Sequence, residues 1–170
     1  FALEHFSISR DLELLVPFIR SALRYQPNLK LWASPWSPPT WMKYNKHYAG
    51  KLSEPEMPAN GLRPDQVGKE GIDMFIQDDP YFKTYAAYFT RFIKEYRSQG
   101  INIGMVMPQN EFNSPQPFPS CCWTPEGLAR FISFLGPEME KLNVEVFLGT
   151  MERPSDKLVD VPLLDPKSSK

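Results

Sequence analysis

Residues 107–111 (MPQNE) place a carboxylate beside two carboxamides, directly after an apolar run. A glutamate in such a position can donate and accept a proton if a dry, aromatic setting raises its pKa toward neutrality. This pairing of groups suits glycoside hydrolysis, with Glu111 as the acid and Asn110 bonded to the 2-hydroxyl of a sugar ring. On these five residues alone, a surface glutamate at a strand end remains the alternative interpretation.

A second segment, residues 33–43 (ASPWSPPTWMK), also follows an apolar run and combines aromatic rings with rigid prolines. Trp36 and Trp41 offer flat faces on which the C–H side of a sugar ring can lie. Packing of both rings in the core is the alternative that the pattern leaves open.

Other chemistries have less support in the sequence. His5 and His47 are far apart and lack ligand spacing, so no metal site and no cofactor are predicted. No serine lies in a G-x-S-x-G turn. Cys121 and Cys122 are neighbours with Cα atoms about 3.8 Å apart, which is too close for ordinary disulfide geometry. Both thiols are expected to be buried and inert.

The composition limits the class of partner. The chain has 170 residues, 42% hydrophobic and 23% charged, with a net charge of -1, so a nucleic-acid partner has no electrostatic support. No apolar stretch approaches the roughly 20 residues that span a bilayer, so no membrane span is predicted. Aromatic residues at 14% and 18 prolines favour long, stiff, ring-lined loops.

The pattern along the chain predicts helices alternating with short strands. A helix is predicted from an N-cap at Asp11 to Tyr25, and another from an N-cap at Asp79, with Pro80 after it, to a cap at Gly100. A third helix is expected to start at Thr124 and to end or kink at residues 136–137. Strands are predicted over residues 29–33, 101–107 and 144–148, with a long polar loop over 34–79 and a polar, proline-rich tail from residue 151.

Each predicted helix carries apolar residues at helical spacing, which indicates a face turned toward a core. The inward-facing residues are expected to be Leu12, Leu15, Phe18, Ile19 and Leu23 in the first, Phe82, Tyr85, Ala86, Phe89, Phe92, Ile93 and Tyr96 in the second, and Leu128, Phe131, Ile132 and Leu135 in the third.

This alternation is typical of a parallel sheet covered by helices, either an open sheet or a (β/α)8 barrel. No glycine-rich phosphate motif follows any strand, which removes the usual nucleotide fingerprints of the open sheet. A complete barrel needs about 250 residues. The predicted fold class is therefore α/β, a portion of a TIM barrel.

Several motifs together resemble glycoside hydrolase family 30, the family of glucosylceramidases and endo-β-1,6-glucanases. The tryptophan-rich segment 34–43 is similar to the family's signature after the third barrel strand, and residues 109–111 resemble its Asn-Glu pair after the fourth. Further similar segments, in order, are residues 6–8 with Asp11 and 16–19, residues 85–89, 117–118, 124–126 and 135–137.

The resemblance implies a retaining β-glycosidase that acts on a β-linked glycoside or polysaccharide. Glu111 would be the general acid/base and Asn110 the 2-hydroxyl partner, while Trp36 would line the sugar site and Phe118 the mouth on the leaving-group side. Phe112 stands where the family commonly has proline. Glu152 matches a neighbouring-pocket position and not the nucleophile.

The resemblance also implies that residues 1–170 are an incomplete catalytic barrel domain, covering about strands three to five. The first and last strands, the nucleophile after the seventh strand and the side β-domain are expected to be absent, and the isolated chain is expected to be inactive. The full-length protein is expected to be secreted, periplasmic or at the cell surface, although the sequence leaves compartment, sugar and oligomeric state open. Two alternatives remain: a non-catalytic carbohydrate-binding remnant, and an open-sheet interaction domain.

Overall fold

The computed structural model describes residues 2–53 and 59–169, and its centre is a three-stranded parallel sheet. Strand β1 is Leu31–Ala33, β2 is Ile103–Val106 and β3 is Glu145–Val146, hydrogen-bonded in the order β1-β2-β3. Both pairings are parallel, with Ala33 opposite Val106 and Val106 opposite Val146. The predicted parallel alternation is confirmed, but each strand is shorter than its apolar run because the flanking residues do not join the ladder.

The first predicted helix is two helices, α1 (Ser9–Glu13) and α2 (Leu15–Tyr25), separated by the non-helical backbone of Leu14. The prediction that Asp11 is the N-cap was wrong, because Ile8 occupies that position and Asp11 lies inside α1. The Asp11 carboxylate instead accepts a 2.8 Å hydrogen bond from the Tyr96 hydroxyl. This bond therefore joins α1 to the helix that contains Tyr96, Asp79–Ser98.

The predicted inner face of this region was also partly wrong. Val16 is buried and Ile19 and Leu23 pack against the core, but Phe18 is 73% exposed. The break at Leu14 sets a new helical phase, in which positions 16, 19 and 23 share one face. Leu12 and Leu15, predicted to face inward, are exposed as well.

The second predicted helix is α3 (Asp79–Ser98), and its aromatic stripe forms the core as predicted. Asp78, not Asp79, is its N-cap, so the predicted cap was one residue late. Gly100 has a φ of +75°, which is the left-handed conformation that favours glycine after a helix. The stripe packs against α4 (Pro125–Glu140), where the Tyr85 and Phe131 rings are 4.9 Å apart.

Helix α4 starts as predicted, with the Thr124 hydroxyl accepting a 2.9 Å bond from the Gly127 N–H. Of the two predicted outcomes at residues 136–137, an end or a kink, the end was wrong, since the helix continues through Pro137 to Glu140. Leu135 and Met139 lie four residues apart and both are fully buried, so packing offsets the missing proline N–H.

The polar, proline-rich tail, for which no helix was predicted, contains helix α5, Asp156–Leu164. Its Pro162 is buried within the helix, and α5 packs against α4. The proline-rich composition hid this helix, because proline normally marks a helix end.

The long segment 34–79 is ordered by packing and not by periodic structure. It contains 3-10 turns at Thr40–Met42 and Pro64–Gln66, and its Phe75 stacks on Trp123 with ring centroids 4.7 Å apart. Residues 54–58 of this predicted loop lie outside the described residues. In the described parts of the chain, no helix combines the length and the apolar character needed to cross a membrane.

Candidate functional site

Three loops leave the carboxyl ends of the three strands and meet at one edge of the sheet. The Met107 N–H donates to the Ala33 carbonyl and the Asn110 N–H donates to the Pro35 carbonyl, both at 2.9 Å. The two motifs that the sequence singled out are therefore directly bonded to each other. The carboxyl-end edge of a parallel sheet is where barrel enzymes carry their catalytic groups.

Gln109 is fully buried beneath this edge and holds the two motifs together. Its Nε2 group donates to the Trp36 carbonyl at 2.8 Å and to the Asn110 carbonyl at 2.9 Å. Its Oε1 atom accepts from the Trp123 indole N–H at 3.4 Å. The sequence marked Gln109 only as a neighbour of the acid, whereas the structure shows it as the link between the loops.

The aromatic residues near the edge divide into two pairs. Trp36 and Phe118 face each other with ring centroids 5.5 Å apart, and they are 50% and 39% exposed. Trp41 instead pairs with Tyr81 at 6.1 Å, on helix α3. Trp36 and Phe118 therefore form one solvent-exposed aromatic surface, whereas Trp41 packs on Tyr81 of helix α3.

Glu111 has a backbone φ of +46°, a left-handed conformation that is uncommon for any residue except glycine. Its N–H donates to Thr150 Oγ1 at 3.0 Å, and the Thr150 hydroxyl in turn donates to Asn110 Oδ1 at 3.0 Å. Thr150 belongs to the loop after β3, and no motif in the sequence marks it as a site residue. The one signal was its position just past the third apolar run.

A second set of bonds joins the same two loops farther out. The buried Asn113 accepts a 3.0 Å bond from the Glu152 N–H through Oδ1 and donates to the Arg153 carbonyl at 3.2 Å. Between the two sets, Gly149 has a φ of +125°, and a Cβ added there would lie 2.7 Å from the Gln109 carbonyl oxygen. The close approach of the two loops thus requires glycine.

The Glu152 side chain has the electrostatics of an ionised, paired carboxylate. A hydrogen bond from Ser114, followed by the nearby Arg153 guanidinium, holds the pKa of Glu152 below its usual range. Arg153 contacts Glu152 at 2.6 Å and Glu70 at 2.5 Å. A carboxylate held in this way does not suit proton donation near neutral pH.

Lys43, the last residue of the tryptophan-rich motif, supports the edge from below. Its side chain is fully buried, and Nζ donates to the Ser120 carbonyl at 2.6 Å, the Tyr48 carbonyl at 3.0 Å and Ser37 Oγ at 3.3 Å. Desolvation by burial lowers the pKa of Lys43. The ammonium thereby fixes the segments that carry Trp36 and Phe118 against each other.

Cys121 and Cys122 are both buried and free, as the sequence predicted. Burial raises the pKa of the Cys122 thiol to about 12 and that of Cys121 further, which keeps both thiols protonated and unreactive near neutral pH. Phe112, the residue that replaces the family's common proline, is fully buried and not part of the exposed edge. Over residues 2–53 and 59–169, no three histidine, cysteine or acidic side chains are grouped to hold a metal ion.

The model of the glycosyl hydrolase family 30 TIM-barrel domain matches residues 1–152. The lysosomal acid glucosylceramidase of Mus musculus is 30% identical over 180 residues, covering 100% of this chain and 31% of that protein. An endo-1,6-beta-D-glucanase of Aspergillus fumigatus is 33% identical over 86 residues, covering 51% of this chain and 16% of that protein.

Among solved structures, the endo-beta1,6-glucanase BT3312 matches with a TM-score of 0.75 at 21% identity. That match covers 99% of this chain and 36% of the other chain, and at this identity it shows the fold alone. The chain therefore spans at most 36% of the length of any of these three proteins.

Proposed function

We propose that this chain, which belongs to glycosyl hydrolase family 30, carries the acid/base half of the active site of a retaining β-glycosidase. In this proposal its three strands are about the third to fifth of a TIM barrel. Glu111 is the general acid/base, Asn110 binds the sugar 2-hydroxyl, and Trp36 and Phe118 line the sugar and leaving-group sides. A β-glucoside of the glucosylceramide type or a β-1,6-glucan is the proposed substrate class, because relatives of both names match the chain.

The observation that carries the proposal is the placement of Glu111. The glutamate follows β2 at the carboxyl-end edge, its loop is bonded to the loop of Trp36, and Asn110 beside it is held by Thr150. Retaining hydrolysis needs a second carboxyl group about 5–5.5 Å from the first, to form the glycosyl-enzyme intermediate. Glu152 matches a neighbouring-pocket position of the family and the chain spans at most 36% of the length of these relatives, so we assign the nucleophile to another strand of the complete barrel.

In the complete barrel, Glu111→Gln should lower kcat/KM about 10²- to 10⁴-fold on glycosides with poor leaving groups, because these need a proton on the departing oxygen. For activated aryl glycosides, kcat/KM should fall much less, because their leaving group departs without protonation. The glycosyl-enzyme intermediate should then accumulate, and azide should release it as a β-glycosyl azide. Glu140→Gln, an exposed residue at the end of α4, is the matched control and should be close to wild type.

If Glu111→Gln leaves poor-leaving-group substrates unaffected, Glu111 is not the acid/base and the proposal fails. The 170-residue chain alone should show no turnover of aryl β-glucosides, because one carboxylate cannot support double displacement. Equilibrium titration of the complete barrel with sugars tests the alternative of a carbohydrate-binding domain, which saturable binding without turnover would support.

A further inference from the structure

We infer that Thr150 is a positioning residue for Asn110, which it orients so that the amide NH2 group, and not the carbonyl, faces the substrate. The inference rests on the proposed function of this edge, because it specifies how the 2-hydroxyl of the sugar would be bound. Thr150 itself does not contact the reacting atoms. It acts through the Asn110 side chain.

The direction of the hydrogen bonds follows from the groups present. The Glu111 backbone N–H can only donate, so Thr150 Oγ1, 3.0 Å away, accepts there. The single hydroxyl proton is then free for the second partner, Asn110 Oδ1, also 3.0 Å away. With the amide flipped, its NH2 group could donate to the second lone pair of the hydroxyl oxygen, but the hydroxyl proton would then lose its acceptor, Asn110 Oδ1. The arrangement therefore selects one orientation of the Asn110 amide.

This orientation leaves Nδ2 of Asn110 for a ligand. Within the described ranges, the Asn110 side chain is bonded to the protein only through Oδ1, and the residue is partly exposed at the edge. An amide NH2 donates to the oxygen of a sugar hydroxyl. A 2-hydroxyl that accepts this bond keeps its own proton free to donate to another acceptor, and that donated bond strengthens as positive charge develops at the neighbouring ring carbon, because the hydroxyl becomes more acidic.

The backbone around Thr150 gives the hydroxyl little freedom. Gly149 lies so close to the Gln109 carbonyl that any Cβ would overlap it, and Gln109 itself is bonded to the Asn110 carbonyl at 2.9 Å. Thr150 also has a β-branched side chain with a restricted χ1 rotamer. The hydroxyl is thus fixed relative to the same loop whose side chain it orients.

Thr150 also accepts from the Glu111 N–H, so its loss could act through the acid/base instead. The two routes separate by substrate. An effect through Asn110 requires a 2-hydroxyl on the sugar and is independent of the leaving group. An effect through Glu111 appears with poor leaving groups whether or not the 2-hydroxyl is present.

The test uses the complete barrel with matched pairs of aryl β-glycosides, with and without the 2-hydroxyl. Thr150→Val, which keeps the shape and removes the hydroxyl, should lower kcat/KM about tenfold on the 2-hydroxy substrate, the effect of one hydrogen bond of ordinary strength. On the 2-deoxy substrate the loss should be at most about twofold. Thr150→Ser, which retains the hydroxyl, should stay within about threefold of wild type on both.

Thr90→Val is the matched control, because the Thr90 hydroxyl on α3 is buried without a hydrogen-bond partner in the described part of the chain, and both substrates should be unaffected. In an Asn110→Ala background, adding Thr150→Val should cost no further activity, since the group that Thr150 orients is already gone. This second measurement does not depend on the stability of the single Thr150→Val variant, because the comparison is made between two variants of one background.

An equal loss on the 2-hydroxy and 2-deoxy substrates, or a full additional loss in the Asn110→Ala background, would overturn the positioning role. These outcomes are separate from a failure of the proposed function. If the complete barrel lacks glycosidase turnover, or if Glu111→Gln is without effect on poor leaving groups, the assignment of the edge fails and the inference about Thr150 fails with it.

Discussion

Replacing the buried Lys43 with methionine tests what holds the loops of the candidate site together. The Lys43 ammonium joins three separate positions, with its shortest bond, 2.6 Å, to the Ser120 carbonyl. Methionine nearly preserves the buried volume and removes all three donors, so the substitution isolates the hydrogen bonds from the packing. We expect Lys43→Met to destabilise the chain by about 1–3 kcal/mol.

The magnitude follows from the partners of each acceptor. The Ser120 carbonyl loses a charge-assisted bond, and a buried acceptor left unpaired costs about 1–3 kcal/mol. The Tyr48 carbonyl still accepts the Ser120 N–H at 3.0 Å, so its loss is smaller. Burial of the ammonium is itself unfavourable, which is why the pKa of Lys43 is lowered. Replacing Lys43 with methionine removes this desolvation penalty, which offsets part of the stability lost with the hydrogen bonds. The expected value therefore lies within the range for one orphaned acceptor.

The assay is equilibrium urea unfolding of the 170-residue chain at submicromolar concentration, followed by the fluorescence of the tryptophans, of which Trp123 is buried. Lys141→Met is the control, because the Lys141–Glu138 pair lies on the exposed surface of α4 and should contribute less than about 1 kcal/mol. If Lys43→Met is as stable as wild type or more stable, the desolvation of the ammonium outweighs its bonds. The ammonium would then not be what fixes these loops.

Two further predictions concern the chain as a whole. Among residues 2–53 and 59–169, no further strand pairs with the outer edges of β1 and β3, and Trp32 and Phe147 are 57% and 49% exposed, so the isolated chain should self-associate at high concentration. A sharp two-state thermal transition of a soluble monomer at that concentration would contradict this. Burial raises the pKa of Cys122 from 9.0 to about 12, so the contribution of the neutral thiol to the free energy of unfolding is fully present below pH 9. Between pH 9 and about 12 the free energy of unfolding should fall by up to about 1.4 kcal/mol per pH unit from this group. In Cys122→Ala, the urea midpoint should therefore fall less steeply with pH over the same range.

The sequence predicted the parts of the fold that depend on local pattern. The aromatic stripe of α3 and the Thr124 cap of α4 are short-range signals, and both are confirmed. The parallel order of the strands followed from their alternation with helices, and it too is confirmed. Local rules were enough for the two helix features because residues at helical spacing or within one turn determine them, whereas the strand order followed from the alternation of elements along the whole chain.

The errors arose where tertiary packing overrides a local signal. Proline is a reliable mark of a helix end in isolation, yet α4 continues through Pro137 and α5 contains Pro162, because the helices pack on each other. The break at Leu14 is a different kind of error, because a local signal was present: Pro17 has no N–H and its ring clashes with the carbonyl four residues earlier, so it fits only the first turn of a new helix. In the 34–79 segment, order comes from contacts such as Phe75 on Trp123, between residues far apart in the sequence.

The same distinction applies within the candidate site. The sequence marked the residues whose chemistry is conspicuous, a glutamate, an asparagine and the aromatic rings, but the residues that orient them are Gln109, Thr150 and Lys43. Each of these side chains lies in the loop after one strand and forms a hydrogen bond with the loop after another strand, so the bond exists only once the sheet has formed. Glu111 has a left-handed backbone, and its N–H donates to the Thr150 hydroxyl of the loop after β3. The geometry of this edge is therefore determined by three loops together, because each loop is hydrogen-bonded to another.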